Sequence, residues 1–272
     1  MKHGALFFCT LVFVLSLTLF AAASDRVAHA VIAIGSDYEF TADNGVCSGS
    51  GTFEDPYVIQ GWSIDAGDNR YGIYVHGTTR PFVIRDVEIS GAETAAIALS
   101  YVRNASIEDS TFEANWAGVT LNFATYIRIS GCTFEKNTDG AHFFFSDENQ
   151  VLNCTFERND TALWLDSSDK NDIWDNLIAG SSMGAYLNLG STANSILRNA
   201  FVDNIHNAFS DERNYWNDAT SGNYWGSFTA VDANHDGIRD TPYEINENGD
   251  QDSLPLVSHP LVPTPAPATC GS

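Results

Sequence analysis

A short apolar segment recurs about every 22 residues along the middle of the chain. Its copies begin at Gly72, Ala96, Gly118, Ala141, Ala162, Gly184 and Asn207. Each copy is rich in strand-forming residues, and Asn, Asp, Gly and Ser separate it from the next. A unit of this length cannot bury its apolar face alone, so the units must stack on one another. The chain is therefore predicted to be a solenoid.

A second apolar segment in each unit indicates which kind of solenoid forms. The tripeptide Thr-Phe-Glu begins at Thr111, Thr133 and Thr155, and an asparagine follows two residues after each copy. The sequence lacks the Leu-x-x-Leu-x-Leu frame and the helical stretch of a leucine-rich repeat. We therefore predict an all-β fold, a single-stranded right-handed parallel β-helix of about seven coils with N- and C-terminal caps.

Side chains alternate between interior and surface along each strand. The second and fourth residues of the first strand, such as Ile73 and Val75, are apolar and are expected to point inward. The third residue then faces outward, which gives the column Tyr74, Ala98, Thr120, Phe143, Trp164, Tyr186 and Phe209. The candidate ligand-binding residues are its aromatic members, Tyr74, Phe143, Trp164, Tyr186 and Phe209, because flat rings at coil spacing suit stacking against sugars. Alternatively, the C-terminal segment that contains Trp216, Tyr224 and Trp225 folds over this column.

Breaks in the periodicity divide the chain into five segments. Residues 1–30 read as a signal peptide, with an apolar run from Ala5 and small-residue cleavage motifs that end at Ala23 or Ala30. Residues 31–70 are predicted to form an N-terminal cap, residues 71–210 the coils, and residues 211–257 a C-terminal cap that closes the open end. The proline-rich residues 258–272 are predicted to be an extended tail or tether.

Charge and composition restrict the expected partners. The chain has 35 acidic and 13 basic residues, and its formal net charge of −22 argues against nucleic acid, whose phosphates need Lys and Arg. No stretch after the signal is apolar enough to span a membrane. We expect a secreted protein at the cell surface, with carbohydrate, another envelope component or further copies of itself as partners. Three Asn-x-Ser/Thr sequons make Asn104, Asn153 and Asn159 candidate glycosylation sites.

Cys132 and Cys154 lie one coil apart in one predicted column. The side chains of stacked parallel strands rarely reach the dihedral angle of a disulfide, so two free buried thiols are the favoured interpretation.

A calcium-loop pattern lies in the predicted C-terminal cap. The side chains of Asp232, Asn234, Asp236 and Asp240, with the Ile238 carbonyl, occupy positions 1, 3, 5, 9 and 7 of such a loop, and Gly237 occupies position 6. Position 12 is Tyr243 where an EF-hand has a bidentate glutamate. The pattern predicts a structural calcium site, and the alternative is an acidic turn fixed by Asx hydrogen bonds. The histidines lack a close copper-ligand spacing.

Several segments together carry a family resemblance. They are Gly51-Thr-Phe-Glu-Asp-Pro-Tyr-Val-Ile-Gln-Gly-Trp-Ser-Ile-Asp65, the asparagine-rich coils, Gly222-Asn-Tyr-Trp225, Asp232-Ala-Asn-His-Asp-Gly-Ile-Arg-Asp-Thr-Pro-Tyr243 and Asp252-Ser-Leu-Pro-Leu256. Over roughly residues 40–257 the chain resembles right-handed β-helix proteins of the NosD type, which include many archaeal surface proteins. The resemblance implies a β-helix whose relatives bind sugars, hydrolyse them, build surface layers or assist copper-enzyme maturation. A shared fold does not select among these functions.

Three functions remain open at this stage. The leading hypothesis is a non-catalytic surface protein that binds or organises carbohydrate, or packs against copies of itself, through the aromatic column. The second is a polysaccharide hydrolase, lyase or epimerase. Glu113, Glu135 and Glu157 stack at carboxylate spacing, and Asn137-Thr-Asp-Gly140 resembles a polygalacturonase motif, but the accompanying Asp-Asp, Gly-His-Gly and Arg-x-Lys motifs are absent. We therefore predict no catalytic residue. The third, from the resemblance alone, is an accessory protein for a copper enzyme.

Overall fold

The computed structural model describes residues 26–246 and 249–260, which form a parallel β-helix. Each coil contributes one strand in turn to three sheets. Sheet 1 contains Val46–Ser48, Tyr57–Gln60, Phe82–Arg85, Arg103–Glu108, Thr125–Ser130, Gln150–Leu152, Asp172–Trp174 and Ser195–Leu197. Sheet 2 contains Val27–Ala28, Trp62–Asp65, Glu88–Ser90, Thr111–Glu113, Thr133–Glu135, Thr155–Glu157, Leu177–Ala179, Ala200–Val202 and Tyr224–Trp225. Sheet 3 contains Ile32–Ile34, Tyr71–His76, Ala95–Ser100, Ala117–Asn122, Asp139–Phe144, Thr161–Asp166, Met183–Asn188 and His206–Ser210.

Two small elements lie outside these sheets. A 3-10 turn spans Ala42–Asn44, and an antiparallel hairpin near the C-terminal end pairs Tyr243–Glu244 with Gln251–Asp252. The predicted β-helix fold is confirmed. The proline-rich tail from residue 261, most of the predicted signal and Cys270 lie outside the described residues.

The core consists of columns of identical or similar apolar side chains. Each inward column repeats once per coil, as in Phe112, Phe134 and Phe156 of sheet 2, which are fully buried. The rings of Phe134 and Phe156 stack with centroids 4.4 Å apart. Burial of this kind is the main source of stability, at about 25 cal/mol per Å² of apolar surface removed from water.

Buried asparagines form hydrogen-bonded ladders at the turns between sheets. Asn171 Oδ1 accepts hydrogen bonds from the Asn149 backbone N–H at 2.9 Å and from Asn149 Nδ2 at 3.1 Å. The same pattern continues through Asn194 and Asn214, and two further ladders contain Asn115, Asn137 and Asn159, and Asn176, Asn199 and Asn223. The ladders satisfy turn N–H groups that sheet pairing leaves unpaired, which explains the recurring asparagine in each coil.

The coils begin earlier than predicted. Tyr57–Gln60 and Trp62–Asp65 pair in parallel with strands of the next coil, and Ile32–Ile34 pairs with Tyr71–His76. The segment predicted as an N-terminal cap therefore already contains a complete coil. Its Ile59 and Ile64 belong to the continuous buried core.

The predicted signal boundary at residue 30 conflicts with the structure. Val27–Ala28 pairs with Trp62 and Ser63 in sheet 2, and Arg26 forms ion pairs of 3.1 Å with Asp86 and Glu88. Cleavage after Ala30 removes this strand, whereas cleavage after Ala23 leaves it in place.

The C-terminal segment closes the end of the core. Trp225 lies in the inward column of sheet 2, stacks on Phe201 at 4.5 Å and is almost fully buried, as is Trp216. Their indole N–H groups donate to Asp252 and Asp250 at 2.9 and 2.8 Å. The alternative in which this segment covers the outward column is therefore wrong.

The repeat alignment is wrong by one residue in a single coil. Gly140, not Ala141, is equivalent to Gly118, because Asp139 pairs with Ala117 and Ala141 with Val119. A Cβ atom at Gly140 would lie 2.7 Å from the Phe156 ring, so close packing requires glycine there. As a result Phe143, predicted to face outward, is fully buried.

Cys132 and Cys154 are free thiols, buried in the column that continues as Asn176. Burial raises the pKa of the Cys132 thiol well above its ordinary value, which keeps it protonated and unreactive.

Candidate functional site

The outward face of sheet 3 carries aromatic rings in four successive coils. His142, Trp164, Tyr186 and Phe209 are in register there, and we call them the sheet ladder. His142 stacks on Trp164 with centroids 4.7 Å apart, Tyr186 stacks on Phe209 at 5.0 Å, and Trp164 meets Tyr186 edge to face at 5.7 Å. All four rings keep some surface in contact with solvent. Three of them, Trp164, Tyr186 and Phe209, are predicted ligand-binding residues.

Tyr74 lies in the same column but apart from the sheet ladder. Ala98 and Thr120 occupy the two intervening coils and carry no ring, and both are buried. Tyr74 instead stacks on Tyr71 at 4.8 Å. Tyr74 is therefore separate from the other candidate ligand-binding residues of the column.

A second set of rings follows the ends of the sheet 3 strands. Tyr101, Phe123 and Phe145 occupy one turn position in successive coils, and we call them the turn ladder. Their rings are nearly parallel, with centroids 4.9 and 5.2 Å apart. They are 57%, 43% and 46% exposed, so they are not part of the core.

The three residues of the turn ladder share one backbone conformation. Their φ angles are 53°, 52° and 47°, in the left-handed region where bulky side chains are uncommon. Glycine or asparagine would fit this conformation more easily, and Gly77 occupies the position in an earlier coil. Ser167 and Leu189 follow at the same turn position in later coils with φ angles of 47° and 51°, so this conformation is a feature of the coil turns, and what distinguishes the turn ladder is its exposed, stacked rings. The sequence carries a signal for this ladder, since the three aromatics are spaced by one repeat, but they lie at turns, outside the strand alternation that predicts the other column.

Two carboxyl groups flank the His142 ring of the sheet ladder. Asp139 Oδ2 lies 3.6 Å from His142 Nδ1, and Asp166 Oδ2 lies 3.3 Å from His142 Nε2. Asp166 Oδ1 also accepts a hydrogen bond of 2.7 Å from Trp164 Nε1. Asp139 is 1% exposed, and its Oδ2 has no hydrogen-bond partner.

The electrostatics of this cluster follow from burial. Desolvation, with the nearby carboxylates of Asp160 and Asp166, raises the pKa of Asp139 to about 7. Desolvation also lowers the pKa of His142 below its ordinary value, against the opposing effect of Asp166. Asp139 is therefore largely protonated below neutral pH, while His142 tends to remain neutral.

We expect Asp139→Asn to change how stability depends on pH. The pKa of Asp139 is higher in the folded than in the unfolded chain, so the folded protein binds the extra proton between about pH 4 and 7 and loses stability as pH rises through that window. The neutral variant lacks this loss. Its free energy of unfolding, relative to the parent, should increase by about 2 to 4 kcal/mol from pH 4 to 8, since each pKa unit corresponds to about 1.4 kcal/mol.

Urea denaturation of both proteins at several pH values measures this difference. Any contribution of His142 that is common to both proteins cancels in the comparison. If the difference in free energy of unfolding between the two proteins did not change with pH, the raised pKa of Asp139 would be contradicted.

The stacked glutamates of sheet 2 form ion pairs. Lys136 Nζ lies 2.8 Å from Glu113 and 3.0 Å from Glu135, and Arg158 pairs with Glu135 and Glu157. The pKa of Glu135 is lowered by its hydrogen bonds to Arg158 and Lys136. A carboxyl group held ionised in this way is poorly suited to act as a general acid.

The acidic side chains of the predicted calcium loop accept hydrogen bonds from the backbone of the loop itself. Asp232 accepts hydrogen bonds from the N–H groups of Asp236 and Gly237, and Asp236 accepts one from Ile238. Asn234 donates to Asp236, and Asp240 accepts from Ala233.

The residues present do not form a copper site. Among residues 26–246 and 249–260, no group of three or more His, Cys, Asp or Glu side chains is arranged to hold a metal ion. Cys132 and Cys154 are buried thiols, and the nitrogens of His142 face carboxylates rather than further soft ligands.

The predicted glycosylation sites differ in accessibility. Asn153 is exposed and Asn104 is half-buried. Asn159 is 2% exposed, and its Nδ2 donates to the Phe134 carbonyl at 3.0 Å, so the folded chain does not present this amide for modification. Asn159 is buried because it belongs to an asparagine ladder, although its sequence matches a glycosylation sequon.

Known proteins with similar sequences support the family resemblance described above. A family model described as periplasmic copper-binding protein (NosD) matches residues 42–230. The chain is similar to a probable ABC transporter binding protein NosD from Stutzerimonas stutzeri, with 37% identity over 81 residues, or 29% of this chain and 19% of that protein. A protein with the same description from Pseudomonas aeruginosa is 35% identical over 78 residues, 28% of this chain and 18% of its own length. The chain thus covers less than a fifth of each of these curated relatives.

Among solved structures, the chain resembles the crystal structure of pectate lyase Pel9A. The TM-score is 0.51 at 13% identity, over 76% of this chain and 61% of that one. At this identity the likeness concerns the fold alone. Within the described residues, no helix is long and apolar enough to cross a membrane.

Proposed function

The chain belongs to the NosD family, and from that premise we propose that it is an exported β-helix protein that binds carbohydrate chains without cleaving them. The periplasmic description of the family agrees with the predicted export of the chain. The main observation in support is the set of partly exposed, stacked rings that the sheet ladder and the turn ladder carry at coil spacing.

The arrangement of these rings suits a sugar polymer. The stacked rings present apolar edges to solvent, and these edges can contact the C–H groups of sugars. Asn188 lies beside Trp164 and is partly exposed, so its side-chain amide can hydrogen-bond to sugar hydroxyl groups. Rings in successive coils lie about 5 Å apart, so a ligand that runs along the helix axis meets several of them.

A non-catalytic role agrees with the carboxyl groups of the site. Asp139 is almost completely buried beneath the surface, so it does not reach a bound sugar directly. The stacked glutamates of sheet 2 are neutralised by Lys136 and Arg158.

Replacement of Trp164 by alanine tests the proposal. We expect Trp164→Ala to weaken binding of the recognised polysaccharide by about tenfold or more, because loss of about 1.4 kcal/mol of contact free energy corresponds to a factor of ten. Trp116→Ala is the matched control, since Trp116 is 44% exposed but lies outside both ladders. Titration calorimetry against a panel of envelope polysaccharides, with product analysis, measures affinity and cleavage together. Equal affinities in the two variants, or shortened products, would contradict the proposal.

A second candidate function is accessory work for a copper enzyme, which the family description favours. It predicts that copper remains bound to the chain, or to a complex that contains it, in a fixed ratio after dialysis. Among the residues that the structure describes, the donor groups do not support such a site.

We further propose that calcium stabilises the loop from Asp232 to Asp240. Asp232 already accepts the two N–H groups that fix the turn at Gly237. A rise in the thermal midpoint with calcium, lost in Asp232→Asn, supports this role, and an unchanged midpoint argues against it.

A further inference from the structure

The outward face of sheet 3 holds a buried carboxyl group that the proposed binding site does not use. Asp139 is 1% exposed, whereas His142 of the same strand keeps some contact with solvent. The Oδ2 atom of Asp139 has no hydrogen-bond partner, and it faces His142 Nδ1 at 3.6 Å. Because buried polar atoms in native proteins are normally hydrogen-bonded, this atom calls for an explanation.

The His142 ring connects Asp139 to the sheet ladder. Its Nε2 atom lies 3.3 Å from Asp166 Oδ2, and the ring stacks on Trp164 with centroids 4.7 Å apart. Asp166 Oδ1 in turn accepts a hydrogen bond of 2.7 Å from Trp164 Nε1. A chain of contacts thus leads from the buried carboxyl group of Asp139 to the indole ring of Trp164.

The two contacts of the His142 ring need two protons. A neutral imidazole carries one N–H, so it can donate to only one of the two carboxyl groups. When Asp139 is protonated, its O–H can donate to Nδ1 while the Nε2–H donates to Asp166, and both contacts are attractive. When Asp139 is ionised, one contact sets a nitrogen lone pair against a carboxylate unless the ring becomes charged. Desolvation lowers the pKa of His142, which opposes the charged ring.

The surroundings of Asp139 favour its protonated form. Desolvation, with the carboxylates of Asp160 and Asp166 that the next coil brings close, raises its pKa to about 7. In the preceding coil, Ala117 pairs with Asp139 and Thr120 with His142, and neither side chain titrates. The proton therefore leaves Asp139 near neutral pH rather than in the acidic range of an exposed carboxyl group.

We infer that Asp139 is a positioning residue that makes carbohydrate binding at the sheet ladder depend on pH. In its protonated form it holds the His142 ring against Trp164, and loss of the proton releases that ring. A surface whose rings are already fixed pays less to order them on binding, so affinity is highest below neutral pH and falls as the pH rises. The inference rests on the proposed function, to which it adds the regulation of the same site.

Calorimetry over a range of pH tests the inference. The probes are neutral and uronic acid oligosaccharides, whose groups do not titrate between about pH 5.5 and 8.5, so a pH dependence there belongs to the protein. We expect the affinity of the parent to fall by about fivefold or more across this range. By reciprocity, binding near neutral pH should take up protons, which calorimetry in buffers of different ionisation enthalpy measures.

Asp139→Asn separates the proton from the carboxyl group. An amide N–H can donate to His142 Nδ1 at every pH, so the variant should bind over the whole range as the parent does at the acidic end. Asp172→Asn is the matched control, because burial also raises the pKa of Asp172, but this residue lies in sheet 1 beside Gln150. The control should keep the pH dependence of the parent. Thermal unfolding checks that both variants are folded.

Nitrogen NMR of labelled histidine in the parent gives a second measurement, which does not depend on the Asp139 variant. The signals of His142 are assigned by their loss in His142→Gln. At about pH 6 we expect a neutral ring with its proton on Nε2 and with Nδ1 as an acceptor, because Asp139 then carries the other proton. A proton on Nδ1 under these conditions would contradict the inference.

The outcomes separate this inference from the proposed function. If the parent loses affinity with rising pH and Asp139→Asn does not, the inference is supported. If Trp164→Ala weakens binding but the affinity of the parent does not change with pH, the inference is wrong and the proposed function stands. The same holds if Asp139→Asn keeps the pH dependence of the parent. If no carbohydrate binds at any pH, or if Trp164→Ala leaves the affinity unchanged, both are wrong.

Discussion

Trp225→Ala is expected to lower the free energy of unfolding by about 4 kcal/mol, the range found for large aromatic side chains removed from a core. Trp225 is 1% exposed and lies between Phe201 at 4.5 Å and Tyr243 at 4.0 Å, so its loss opens a cavity at the end of the β-helix. The substitution also removes the indole N–H that donates to Asp252, whose pKa burial raises to about 6. Urea denaturation followed by circular dichroism at neutral pH measures the loss.

Two comparisons make this prediction specific. Trp225→Phe keeps an aromatic ring but loses the hydrogen bond, so we expect a loss of about half that size or less. Trp116→Ala removes a ring of equal size from the surface and should cost less than about 1 kcal/mol. Similar losses for Trp225→Ala and Trp116→Ala would mean that Trp225 does not close the core.

Asn171→Ala is expected to lower the free energy of unfolding by about 3 kcal/mol. The substitution leaves the buried Asn149 backbone N–H without its acceptor and breaks the side-chain bonds to Asn149 and Asn194. Each buried polar group left unsatisfied costs about 1 to 3 kcal/mol. The same denaturation experiment measures the effect, because the coils are expected to unfold cooperatively with their neighbours.

The control for the ladder is Asn153→Ala. Asn153 also lies at a coil turn, where it has a φ of 53° that Asn171 does not share, and its side chain is exposed. We expect a loss below about 1 kcal/mol there. Equal losses at Asn171 and Asn153 would contradict a stabilising role for the buried hydrogen bonds of the ladder.

The fold could be predicted from the sequence because the same strand pattern recurs in every coil. The inward residues Ile73, Val75 and Leu165 are buried as predicted, since strand alternation and the repeat agree at those positions. The family resemblance is confirmed by the match over residues 42–230. The cap boundaries were less accessible, because the first coil has sequence features of a cap but pairs as a coil.

The candidate site was only partly accessible. A one-residue shift at Gly140 exchanged Phe143 with His142, because Ala141-His-Phe-Phe fits the apolar pattern in either alignment and only packing against Phe156 decides between them. The turn ladder was not predicted, because strand alternation assigns side chains to the interior or the surface only within strands, and these three residues lie in the turns between strands. The environment of Asp139 depends on side chains from neighbouring coils, which strand periodicity alone does not place.

The aromatic ladders are proposed to bind a carbohydrate chain. The most direct measurement is a crystal structure of the protein with an oligosaccharide selected on a glycan array. We predict that sugar rings lie against Trp164 and Tyr186 or against Tyr101, with the glycosidic bonds intact. A sugar bound away from both ladders, for example at the C-terminal cap, or a cleaved product at the site, would contradict the account.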